Sequence, residues 1–425
     1  MNLFLLLFSS FLFCLVGYVS FIRMPADLRQ SYVLFVCYRM FFFVIQSSFF
    51  YFIYKNELDT FFYHDALHEL FAGFIHAPSD IVLFVQGKYS ELHITDELKV
   101  YLDRETRVAF FIKVLFPFFL ISAGNYYLMG AWLTLLGTLC FMPFLSLNKK
   151  SEMFSIWFFV LLIPSFTIWT VGILKEAFVI PVLFLAFFIF QKNTKTKEKD
   201  LLSIVFFIVL ILLAWYVKYY LVALFFIICI IYFIHSNVTF SILSIVLSSV
   251  LLACALFGLG YLHPALKWDV FPEVIYIGYN LTCTNFAHST PCIPFDLDMT
   301  WTSIIQNFPK AFLYAFLSPF PWQIHNSTSL LAAIESYVFL ILFFVMLIRW
   351  GMKKTKVSRI EVLGLLSIFI VGSLLILATP NLGSFSRYRI LYLPIYAYIV
   401  IKHSGISGSA FLLWVDKSFR RNNNS

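Results

Sequence analysis

The chain is poor in charge. Of its 425 residues only 12% are Asp, Glu, Lys or Arg, against roughly 25% in soluble domains. No polar stretch is long enough to form a soluble domain, which excludes a globular protein held by a single anchor. No fixed-period repeat or low-complexity linker interrupts the sequence. The cysteines lack metal-ligand spacing. The basic clusters lack interleaved aromatic residues, which argues against nucleic acid as a partner. The first apolar run lacks a charged n-region, which separates it from a signal peptide.

What remains is apolar: 61% of residues are hydrophobic and 20% aromatic. Apolar runs of spanning length recur along the whole chain, and they are continuous rather than alternating. Helices are therefore the expected spanning element. The pattern predicts an all-α polytopic transmembrane bundle, a single integral membrane domain of about 11 spans. These are read at 4–22, 31–54, 126–147, 153–171, 176–191, 201–216, 219–235, 239–259, 329–349, 361–379 and 389–403.

The net charge of +8 gathers largely in short clusters: "QKNTKTKEKD" (191–200), "RWGMKKTKVSR" (349–359) and "KSFRR" (417–421). Lys and Arg are retained on the cytoplasmic side. Placing the clusters there puts the turns at Lys175 and Lys218, the loop 260–328 and the turn 380–388 outside. The segment 109–123 carries Lys113 and Pro117 and is short. It reads as interfacial or re-entrant, which leaves the loop 55–125 outside too. "NFPKAFLYAFLSPFPWQIHN" reads the same way.

Four cations then stand at external span ends: Lys175 in "PSFTIWTVGILKEAF", Lys218 in "WYVKYY", and Arg387 and Arg389 in "NLGSFSRYRILYLP". Each alone suits an interfacial anchor. Lys175–Glu176 alone suits a snorkelling lysine and a helix cap after a turn at Gly172. Together the four suit one pocket for a lipid-borne phosphate or pyrophosphate, which arginine forks and lysine point charges bind.

In the loop 55–125, "DTFFYHDALHEL" puts Asp65, His68 and Glu69 at i, i+3 and i+4 of a helix. Asp65 suits a general base for a sugar hydroxyl. Asp65, His68 and Glu69 also suit a divalent metal ion. The plain alternative is an amphipathic surface helix, with His64 a surface histidine. Trp322, in "SPFPW", offers a face for a sugar ring, though a belt residue at the membrane interface is the simpler role. Cys283 and Cys292, in "CTNFAHSTPC", are close enough to bridge in an oxidising compartment.

The order of these features resembles the GT-C superfamily of membrane glycosyltransferases: an acidic residue in a loop after an early span, short amphipathic segments, then many spans with cations at external ends. "GNYYLMGAWLTLLGTLCFMPFL" (124–145) is similar to the span that follows the acidic loop in such enzymes. The resemblance implies transfer of sugars from polyprenyl-phosphate donors, with Asp65 as the acidic residue. "PSFTIWTVGILKE" and "NLGSFSRYR" look like motifs of bacterial envelope-polysaccharide membrane proteins. That implies the bacterial inner membrane and other polysaccharide-assembly proteins as partners. An extra span before the acidic loop departs from the family pattern. An O-antigen-type polymerase and a transporter or flippase of lipid-linked sugars are the alternatives.

Overall fold

The computed structural model describes residues 3–54, 59–147, 152–195, 200–237, 260–261, 263–285, 292–324 and 327–405. Among them the chain is helical, and the only β pairing is an isolated bridge between Cys292 and Asn381. In order the helices are α1 (Leu3–Arg23), α2 (Arg29–Tyr54), α3 (Asp59–His76), α4 (Asp80–Gln86), α5 (Asp96–Arg104), α6 (Thr106–Ile121), α7 (Tyr126–Leu147), α8 (Glu152–Leu161) and α9 (Pro164–Trp169). There follow α10 (Lys175–Lys195), α11 (Leu201–Asn237), α12 (Phe271–Asn285), α13 (Trp301–Leu317), α14 (Ser327–Gly351), α15 (Arg359–Ala378), α16 (Leu382–Arg389) and α17 (Leu393–Ser404).

Seven described helices are long and apolar enough to cross a membrane: α1, α2, α7, α10, α11, α14 and α15. Among the described residues the expected count of about 11 is not confirmed, and the runs differ from the helices for local reasons. The run 153–171 breaks between α8 and α9, just before Pro164, whose ring cannot continue a helix ladder. The run 389–403 is interrupted after Arg389, which leaves α17 with 12 residues. At 1.5 Å per residue it is too short for a hydrocarbon core of about 30 Å. The runs 201–216 and 219–235 both lie within α11 as two helices that meet at a kink at Lys218 (φ −151°, ψ 83°), where the sequence places a turn. The run 239–259 lies outside the described residues.

The chain divides into two compact units. One is built on the described parts of Met1–Ser151 and Thr167–Val222, the other on those of Glu152–Phe166 and Ala223–Asp416.

In the first unit α7 is the hub, packing against α10, α2, α6 and α1. Its apolar window is 72% buried, whereas that of α1 is 6% buried, so α7 is core and α1 is rim. Small residues on α7 allow the close approach. A Cβ at Gly130 would stand 2.4 Å from the Phe43 ring of α2, and one at Gly137 would stand 3.1 Å from Pro181 of α10.

Residues 59–121 of this unit are a folded helical layer. Leu67 and Leu70 of α3, Leu102 of α5, and Phe111 and Leu115 of α6 are all fully buried. Helix α5 is capped by Thr95, whose hydroxyl accepts from the Leu98 amide at 3.4 Å, and Asp96 and Glu97 fill its first turn. Buried Asp80 accepts from the His93 amide at 2.7 Å and closes the connection between α4 and α5. The segment 109–123 is largely α6, 16 residues long, with Lys113 donating to the Val85 carbonyl at 3.1 Å. Burial lowers the Lys113 amine below its ordinary value.

In the second unit α13 packs against α15 and α14, α12 against α15, and α17 against α14 and α8. Trp157 of α8 stacks on Tyr398 of α17 at 4.7 Å between ring centroids.

Gly172 carries the clearest backbone demand, with φ 69° in the left-handed region that side chains disfavour. A Cβ there would stand 2.5 Å from Gln46 Oε1 and 3.2 Å from the Phe43 ring. Gly172→Ala should therefore cost about 1–3 kcal/mol. Thermal unfolding of the purified protein in detergent should show a lower midpoint; an unchanged one would contradict this reading of the turn.

Candidate functional site

The segment between α9 and α10 is held by polar side chains from inside the apolar helices. A helix end leaves carbonyls without intrahelical partners. At the end of α9 they are met from α2: Gln46 Nε2 donates to the Ile168 carbonyl and Arg39 to that of Thr170. Arg39 also donates to the hydroxyls of Thr170 at 3.0 Å and Thr138 at 3.1 Å. The Gly172 amide donates to Thr134 Oγ1 at 3.0 Å. Arg39 is completely buried, with its guanidinium over Phe141 at 5.0 Å and Phe35 at 5.5 Å. Among the described residues no carboxylate pairs with it, so carbonyl, hydroxyl and ring faces carry its charge.

Lys175 and Glu176 begin α10 and part company at once. The Lys175 ammonium lies over the Tyr63 ring of α3, 5.6 Å from its centroid. Glu176 is buried and takes the Lys218 ammonium. Lys218 is itself buried at the interruption of α11, and also lies over the Tyr220 ring at 5.5 Å. Nearby in the chain, Arg107 of α6 lies over Tyr219 at 5.4 Å.

Asp65 is on the exposed side of α3. Its side chain is 78% accessible and 3.5 Å from His64 Nδ1. Tyr63 and Asp65 are two residues apart, about 200° around a helix, so Asp65 faces away from the ring that meets Lys175. His64 and His68 both place Nε2 3.0 Å from the Gly124 carbonyl. Glu69 accepts from the Thr95 amide at 2.7 Å. Asp65, His68 and Glu69 do share a helix, but among the described residues no three His, Cys, Asp or Glu side chains are placed to hold a metal ion.

In the second unit the quoted motifs meet on α14. Arg389, at the end of α16, is buried; its Nη1 donates to Ser336 at 2.8 Å, and its Nη2 is 3.9 Å from Glu335 Oε1. Glu335 also accepts from the Ser165 hydroxyl at 2.5 Å and the Ser165 amide at 3.3 Å. Ser336 Oγ lies 3.1 Å from the carbonyl of Ser318, the first residue of "SPFPW". Arg387 is half-buried. Trp322 is 72% exposed and stacks on Phe320 at 4.8 Å. A disulfide joins Cys283 and Cys292, with Cα atoms 5.5 Å apart. The adjoining Ile293 amide donates to the Pro380 carbonyl at 3.0 Å, next to the segment that starts α16.

Lys175 and Lys218 thus belong to the first unit, Arg387 and Arg389 to the second. Arg39, Gln46 and Glu335 were not anticipated. The signal was available: an ionisable residue inside a spanning run is costly and demands a partner. No protein-family model, curated protein or solved structure matches the chain.

Replacing Arg39 by Leu removes the donors to Thr170 and leaves only that of Gln46 at the end of α9. The variant should lose about 3 kcal/mol or more, read as a fall in the unfolding midpoint, and Arg39→Lys should recover only part. A midpoint that stays put in Arg39→Leu would show that the turn needs no such clamp.

Proposed function

We propose that the chain is a membrane glycosyltransferase acting on a polyprenyl-phosphate- or pyrophosphate-linked sugar at the external membrane face, in envelope polysaccharide synthesis at the bacterial inner membrane. The observation that carries this reading is Arg389. It is anchored through one N–H to Ser336, and among the described residues no other hydrogen bond takes up its guanidinium. A buried arginine with donors to spare suits the oxygens of a phosphate leaving group. In the first unit Asp65, open to water, is the carboxylate that the resemblance assigns as base for an acceptor hydroxyl. Trp322 offers an aromatic face to a sugar.

One observation favours a second reading, a transporter of the same lipid. Interrupted apolar runs, here before Pro164 and at Lys218, are the pattern of discontinuous transporter helices.

Purified variants given a polyprenyl-phosphate sugar test the reading. Arg389→Ala should weaken donor binding about tenfold or more. Arg389→Lys should also be impaired. Asp65→Asn should keep donor binding and lose turnover. Full activity in Arg389→Ala would remove the phosphate role, and movement of the lipid across liposomes without sugar transfer would select the transporter.

A further inference from the structure

A second basic cluster in the second unit plays no part in the reading above. It is the connection between α14 and α15, within "RWGMKKTKVSR". Helix α14 closes with a paired turn: the Lys354 amide donates to the Arg349 carbonyl at 2.8 Å and the Lys353 amide to the Trp350 carbonyl at 2.9 Å. Lys353 occupies the left-handed position of that turn, φ 57°, where glycine is the favoured residue. A lysine is held there against backbone preference.

The connection is then pinned twice more. Thr355 Oγ1 is 2.7 Å from His403 Nδ1 on α17. Ser358 and Glu361 cap α15 reciprocally, at 3.3 Å and 2.8 Å. The result is an ordered loop whose Lys353, Lys354 and Lys356 are all exposed.

Nothing described balances these charges. Glu361 is the carboxylate at hand, and it is committed: Lys402 Nζ is 2.8 Å and His403 Nε2 3.1 Å from its Oε1. Among the described residues none of the three lysines makes an ion pair. A buried side-chain nitrogen without a hydrogen-bond partner, Arg349 Nε, also lies in this cluster. Like charges fixed close together repel, and a phosphate between them relieves that repulsion. Both flanking helices are long and apolar enough to cross a membrane, so the loop emerges at the bilayer surface, where the phosphates at hand belong to lipids.

We propose that this loop binds the phosphate headgroup of an anionic membrane lipid, with Lys353, Lys354 and Lys356 as its cationic contacts. Charge bias alone would retain the loop on one side of the membrane, but it requires neither a fixed conformation nor a lysine in a glycine position.

The full-length protein in neutral detergent can be titrated with phosphatidylglycerol, with phosphatidylcholine and with inorganic phosphate, reading bound lipid by native mass spectrometry and the unfolding midpoint. Each surface lysine favours an anionic headgroup about fivefold, so three give about a hundredfold preference for phosphatidylglycerol. The K353A/K354A/K356A variant should lose that preference and unfold as the wild type does in phosphatidylcholine; the triple arginine variant should keep it. If the alanine variant does not fold, the wild-type preference should still fall steeply as ionic strength rises to 0.5 M. Equal binding of the two lipids by the wild type, or an undiminished preference in the alanine variant or at high salt, overturns the proposal. Stabilisation by inorganic phosphate as large as that by phosphatidylglycerol overturns the lipid assignment and leaves a soluble-anion site.

Discussion

The first unit depends on one buried ion pair, Glu176 with Lys218. Either charge alone in an apolar helix costs about 2.5–3.5 kcal/mol on insertion scales. Brought together they neutralise each other in a medium too dry to screen them. The pair can form because the chain is interrupted in two places. Gly172 turns the backbone so that α10 starts at Lys175, and the interruption of α11 falls at Lys218 itself. Arg39 and Gln46 hold the first of these features from α2. Removing either member would leave the other buried without this opposite charge, which is worse than losing both.

The same economy recurs in the second unit. Glu335 stands in an apolar helix and is met by Ser165 and, at longer range, by Arg389. Residues far apart in sequence are thereby drawn to one turn of α14. Part of the polarity inside these helices thus serves architecture. Lys218 is used up by Glu176, whereas most donors of Arg389 are not taken up by described partners. Lys175 rests on the ring face of Tyr63.

Much of this architecture was legible in the sequence, because long apolar runs specify helices that satisfy their own backbone. Runs 4–22, 31–54, 126–147, 176–191, 329–349 and 361–379 correspond closely to α1, α2, α7, α10, α14 and α15. The discontinuities were harder. Pro164 was visible, but Pro117, Pro143 and Pro181 lie inside intact helices, so proline alone does not say which helix breaks. Residues 59–121 read as a loop because their amphipathic helices are short, and their apolar faces gain meaning only when stacked. For the site, the sequence marked Lys175, Lys218 and Arg389 as cations needing explanation. It did not reveal that Glu176 meets Lys218, since partners 42 residues apart are set by packing. Nor did it reveal that Asp65 faces away from Lys175, because two-residue spacing on a helix reverses direction.

The account stands or falls on whether Glu176 and Lys218 act as a unit. A double-mutant cycle on unfolding free energy, with Glu176→Gln, Lys218→Met and the combination, measures this directly. The account predicts that each single change destabilises the protein more than the pair of changes does, with a coupling of about 1–3 kcal/mol. Additive effects, with the double variant as unstable as the sum of the singles, would contradict it.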